Sequence, residues 1–148
     1  MPDIIARAEA REKVIGVCDV VREGDWDRLA DYAHPGGVLH ITDTVYLNGF
    51  ENLGQFFDYY LEYYDLDYTN MEVTTDGREA AAEITLKITY KKDKPGMPRS
   101  VGQTTELPLA VFLVFSGDRI SHGRLTFSLD EWMKAFLEEP RPAEGHLL

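Results

Sequence analysis

The sequence predicts an α+β domain, and three features carry that prediction. Apolar residues recur at helical spacing over 3–23, 50–64 and 129–137. From residue 68 to 127 the period changes to two. The helical and strand stretches are segregated along the chain, which suits helices packed on an antiparallel sheet.

The first helix carries Ile4, Ile5, Ala8, Val14, Val17, Cys18 and Val21 as one stripe, and Gly24 is placed to cap its end. Asp25 can cap a short second helix in "WDRLADYA", which "HPGG" at 34–37 must stop. A strand over 38–42 and a turn lead to Gly49, after which Phe50, Leu53, Phe57, Tyr60, Leu61 and Tyr64 form the wide face of a third helix. "YTNMEVTT" and "EAAAEITLKITYKK" read as strands joined by an Asp76-Gly77 hairpin turn. Residues 93–99 read as a longer loop. The strand "TTELPLAVFLVF" has apolar groups on both faces, so both need cover, and a second subunit is one such cover. A turn at Ser116-Gly117-Asp118 leads into "RISHGRLTF". Ser128 and Glu131 then form a capping box for a last helix with Leu129, Trp132, Met133, Phe136 and Leu137 on one face.

A chain of 148 residues suits a single core, expected to span 1–139, with "PRPAEGHLL" at 140–148 as a loose tail. The net charge of -11, from 15 Lys and Arg against 26 Asp and Glu, repels phosphate backbones and anionic lipid heads. Nucleic acid and membrane are therefore not expected partners. A single cysteine, Cys18, allows no intrachain disulfide, and the first 25 residues lack a signal-peptide core, so a cytoplasmic location is expected. The histidines at 34, 40, 122 and 146 have no metal-ligand spacing and no Gly-rich phosphate loop is present, so no metal and no cofactor is expected.

The order of elements, with "EGDWDRLADYAHP", "VLHI", "LNGFENLGQFF" and "VFLVFSGDRISHGRLTF" in sequence, resembles the nuclear transport factor two superfamily. That superfamily includes ketosteroid isomerase, limonene epoxide hydrolase, scytalone dehydratase and the SnoaL-like polyketide cyclases. "DYAHP" and the last hairpin are most similar to the SnoaL-like branch. The resemblance implies a cystatin-like cone, in which a curved antiparallel sheet wraps three N-terminal helices around an apolar pocket, with a C-terminal helix and an outer sheet face that forms a homodimer. It implies a small apolar substrate and cofactor-independent acid/base chemistry on a polyketide- or terpenoid-like molecule, as a cyclase, isomerase or dehydratase. The alternative is a non-catalytic ligand-binding or dimeric adaptor module, since fold alone does not give function.

Under the resemblance His40 stands where ketosteroid isomerase carries its general base. An imidazole among apolar groups would remain neutral and able to take a proton. Asp43 would orient it, and a tyrosine such as Tyr46 or Tyr60 would donate a proton or hold an oxyanion. Val17, Phe56, Phe57, Tyr60, Tyr64, Val111, Leu125, Phe127 and Trp132 are the expected substrate contacts. His122 and Arg124 share the opposite face of the last strand and belong at the outer surface. The pattern also departs from named relatives: the isomerase's helix tyrosine and strand acid correspond to Val17 or Cys18 and to Val111, and the epoxide hydrolase's last-strand aspartate corresponds to Leu125. Cys18 reads as a small core residue rather than a nucleophile.

Overall fold

The structure, a computed structural model, describes residues 5–137. The expected tail at 140–148 lies outside the described residues. Helix α1 spans Arg7–Glu23, and Gly24 ends it in the left-handed region (φ 69°), with the Asp25 N–H reaching back to the Val20 carbonyl at 3.1 Å. Glycine meets no steric penalty in that conformation. The short second helix is a 3₁₀ turn, Trp26–Asp31. The Asp25 side chain makes no cap bond there, and its carbonyl receives the Arg28 N–H instead.

Strand β1 runs Ala33–Ile41 and β2 runs Val45–Asn48. "HPGG" does not act as a bare stop, as the sequence had suggested. It forms a bulge inside β1, where the pairing with β6 advances from Ala33 opposite Ile120 to Val38 opposite His122. Pro35 has no N–H for a ladder, so the chain bows out around it. Gly37 permits the return, since a Cβ there would lie 3.1 Å from the His34 carbonyl oxygen. Its own carbonyl accepts the Gly49 N–H at 2.9 Å, tying the bulge to the start of helix α2, Phe50–Tyr63.

Strand β3, Tyr64–Thr75, begins with no linker: Tyr64 is already extended, so strand geometry rather than the helix directs its ring. Strands β4 (Glu79–Tyr90), β5 (Thr104–Ser116) and β6 (Arg119–Thr126) complete a six-stranded sheet of order β2-β1-β6-β5-β4-β3. All neighbours are antiparallel except β1 and β6, which are parallel. Bulges in β3 after Thr69 and in β6 near Ser121 bend the sheet. Helix α3, Leu129–Leu137, starts at Ser128, whose hydroxyl accepts the Glu131 N–H at 3.2 Å.

Two packed clusters hold the helices on the inner face. At one end Ala10 and Val14 of α1 meet Ala80, Ala82, Val111, Leu113, Phe115 and Ile120. At the other, Phe136 of α3 is fully buried against Tyr64 and Tyr90, with ring centroids 5.3 and 5.9 Å away. Truncating a buried aromatic costs about 3–5 kcal/mol through lost burial and the cavity it leaves. Phe136→Ala is therefore expected to lose about that much in urea unfolding, and a loss under about 1 kcal/mol would show that α3 does not depend on this contact.

Candidate functional site

The two clusters grip the ends of the cone and leave its middle unfilled. There a cavity of about 410 Å³ lies between the three helices and the inner sheet face. Each wall follows from local periodicity. Alternation on β5 and β6 presents Leu109, Val111, Leu113, Gly123 and Leu125 to the cavity. Helical spacing on α1 presents Val17, Cys18, Val21 and Arg22, and on α2 Leu53, Phe56, Phe57 and Tyr60. Phe127 and Trp132 close the α3 side, with ring centroids 5.6 Å apart. All nine expected substrate contacts, Val17, Phe56, Phe57, Tyr60, Tyr64, Val111, Leu125, Phe127 and Trp132, border this space.

Of the residues expected to carry the chemistry, Tyr60 borders it and His40, Asp43 and Tyr46 do not. Leu39 and Ile41 line the cavity, so His40 between them points to the outer face, where its ring meets Tyr46 edge-on at 4.7 Å. Tyr46 is 59% exposed on β2, opposite His40 in the ladder, and Asp43 lies exposed in the turn between the strands. Asp43 makes no hydrogen bond to His40 among the described residues. The physical reason is that "VLHI" permits either face to go inward. Turning Leu39 and Ile41 inward takes two large aliphatic side chains from water, each worth about 1.5–3 kcal/mol when fully buried, whereas the other choice would turn a polar ring inward. His122 and Arg124 are exposed on the outer face, as expected.

Of the polar groups that border the cavity, Tyr60 and Tyr64 are among the expected substrate contacts, and Tyr68, Arg22, His34 and Lys94 are not. Tyr68 on β3 donates its hydroxyl proton to Asp19 of α1 in a short hydrogen bond. Burial, and then that bond to Asp19, push the Tyr68 phenol well above its ordinary range, so it keeps its proton at any physiological pH. Arg22 lies beside the pair, 3.3 Å from Asp19 and 3.3 Å from Asp67, with its guanidinium carbon 5.2 Å from the Tyr68 ring centroid. The Arg22 Nε is buried without a hydrogen-bond partner among the described residues, and the face of that ring is what its guanidinium lies against. Tyr64, 2% exposed, also has its phenol pushed up by burial. Burial, reinforced by Asp19, pushes the Cys18 thiol up to about 12, which leaves almost no thiolate near neutral pH. His34 borders the cavity where β1 nears the β5–β6 turn, and its Nε2 lies 3.1 Å from the Ser116 carbonyl oxygen. A carbonyl can only accept, so Nε2 carries the proton and Nδ1 is the acceptor.

Sequence alone could not pair Asp19 with Tyr68, because 49 positions separate them and each is unremarkable in its own element. The available signal was Asp19 and Arg22 three apart beside the apolar stripe of α1.

No curated protein matches this chain in sequence. Among solved structures, a candidate polyketide cyclase from Xanthomonas campestris pv. campestris superposes with a TM-score of 0.80 at 21% identity, covering 87% of this chain and 97% of its own. A candidate SnoaL-like polyketide cyclase from Jannaschia sp. CCS1 gives 0.76 at 17% identity, covering 95% and 97%. A de novo designed protein with a curved β-sheet gives 0.62 at 16%, covering 88% and 94%. These likenesses establish the cone. The SnoaL-like domain family model matches residues 14–123, from the middle of α1 into β6, and the chain therefore belongs to the SnoaL-like family of the nuclear transport factor two superfamily.

Proposed function

We propose that the protein binds a polyketide- or terpenoid-like molecule in the cavity and acts on it as a cofactor-independent acid/base enzyme that cyclises, isomerises or dehydrates its substrate. The observation that carries this reading is the Tyr68 hydroxyl at the border of a mostly apolar cavity, bonded to the Asp19 carboxylate behind it. Because Tyr68 gives its proton to Asp19, its oxygen presents lone pairs to a ligand. A proton leaving a carbon beside a substrate carbonyl passes to that oxygen as the Tyr68 proton passes to the Asp19 carboxylate. Tyr68 stays neutral throughout, which suits a phenol whose ionisation is opposed by burial. Asp19 acts through Tyr68 and Arg22 holds Asp19 in place. The Tyr60 hydroxyl, with no protein partner among the described residues, is available to the developing enolate oxygen.

The outer sheet face supports a homodimer. Phe112 and Val114 are 47% and 38% exposed on β5, where the ladder sets them beside Arg124, Ala81 and His122. Two large apolar groups in the middle of an open sheet face suit a second copy of that face.

Three measurements test these readings. The neutral fluorophore N-phenyl-1-naphthylamine should bind the wild-type chain and lose about tenfold or more in affinity in Val17→Phe, which fills cavity space; equal binding would place the probe elsewhere. The α-protons of 2-tetralone should exchange in D2O faster than in buffer alone, with Tyr68→Phe losing about a hundredfold of the enzyme-dependent rate and His40→Gln losing none. A ketone that binds yet exchanges only at the buffer rate would leave a carrier in place of an enzyme. In sedimentation analysis the wild type should run as a dimer and Phe112→Lys as a monomer; a monomeric wild type would remove the dimer.

A further inference from the structure

The connection between β4 and β5 opens with three lysines, and two of them are neutralised. Lys91 Nζ lies 3.0 Å from Asp65 and Lys92 Nζ lies 2.5 Å from Glu62. Lys94 has no carboxylate partner among the described residues. Its ammonium lies instead over two aromatic faces of α2, 5.3 Å from the Tyr59 ring centroid and 6.0 Å from that of Tyr63. The side chain borders the cavity, so its aliphatic stem follows the apolar wall while its charge reaches the rim.

This placement is built by the loop. The buried Tyr90 hydroxyl accepts the Lys94 N–H at 2.9 Å and donates to the Pro98 carbonyl at 2.6 Å, while the Met97 N–H returns to the Lys94 carbonyl at 3.0 Å. Met97 also borders the cavity. Lys94 therefore projects from a loop pinned to the core. The other strong cation on the cavity wall, Arg22, is in ion-pair contact with Asp19, Glu23 and Asp67 and has no charge to spare. Lys13, over the Tyr32 ring at 5.8 Å, is likewise held without a carboxylate among the described residues, but only Lys94 of the two borders the cavity. Aromatic faces stabilise an ammonium without neutralising it, so it retains its attraction for an anion.

We infer that Lys94 selects ligands carrying an anionic group at the rim end of an apolar body. The inference rests on the cavity being a ligand site, and adds to that reading which ligands enter and which way round they sit. The ring system lies among Val17, Leu109 and Leu125, and the charged end stays beside Tyr59 and Tyr63, next to water.

The test uses two fluorophores of similar body, 1-anilinonaphthalene-8-sulfonate, which is anionic, and N-phenyl-1-naphthylamine, which is neutral. Titrated into the full chain, Lys94→Met should weaken the sulfonate by about tenfold and leave the neutral compound unchanged, and Lys94→Arg should restore the sulfonate. Raising the salt from about 0.05 to about 0.5 M should weaken the sulfonate on the wild type and have little effect on Lys94→Met, since the exposed rim is screened. Sulfonate affinity unchanged in Lys94→Met, with the neutral compound still bound, overturns the role of Lys94 and leaves the cavity reading intact. Failure of both compounds to bind the wild type overturns both.

Discussion

A β-strand can offer only every second side chain to one face, and this constraint orders the whole molecule. In β4 it sends Ala80, Ala82, Ile84, Leu86, Ile88 and Tyr90 inward and leaves Glu83 and Lys87 outside. In β5 and β6 it divides a chain that is apolar on both faces into a cavity wall, Val111 and Leu125, and an exposed patch, Phe112 and Val114. In β1 it decides the fate of His40. The same rule that builds the pocket therefore excludes the histidine that looked most like its base.

A cavity in the middle of a small domain needs an explanation, because protein interiors are normally packed to the density of organic crystals. Here the helices are held at their ends. Ala10 and Val14 are small enough to let α1 press onto β4 and β5 at one end, while Tyr64, Tyr90 and Phe136 interlock at the other. Closing the gap would require α1 and α2 to tilt inward and break one of these contacts. The lining forgoes part of its dispersion energy so that the two clusters keep theirs, and a ligand would supply the missing contacts. The likeness to a designed protein with a curved sheet makes the same point from another side: the cone is a packing solution in its own right, and the groups on its wall decide what happens inside.

How far the sequence could be read follows from the range of each signal. Elements with long, clean periods, α1, α2, β4 and β5, were legible because hydrophobic spacing is a local property. So were the apolar cavity contacts, since residues on the inward face of a helix or strand line whatever that face encloses. Strand β2 escaped because four residues, "VYLN", show too little alternation to stand apart from a turn. Proline and glycine in "HPGG" mark the end of the short helix without saying that a strand has already begun at Ala33 and bulges around them. His40 failed for a sharper reason: in "VLHI" a shift of one position exchanges the faces, and only the neighbouring strands choose between them. The Tyr68–Asp19 contact and the place of Lys94 depend on elements far apart in the chain, and no spacing rule reaches that distance.

The polar pair on the wall stands beside one of the two bulges that bend the sheet. Between Thr69 and Glu72 the pairing of β3 with β4 shifts, and Asn70 takes a positive φ of 54°, which asparagine tolerates better than most residues. A bulge sharpens the bend of an edge strand, so β3 turns toward α1 instead of running straight past it. Immediately before the bend stand Asp67 and Tyr68. Asp67 meets Arg22 and Tyr68 meets Asp19, both from a single turn of α1. The ladder is unshifted from Tyr64 to Thr69, so alternation alone sets Tyr68 on the inner face with Tyr64 and Leu66, and the bend that follows comes after that choice is made. Architecture and chemistry meet there: strand parity and a neighbouring helix together set a carboxylate behind a phenol, at the edge of a space lined mostly by hydrocarbon.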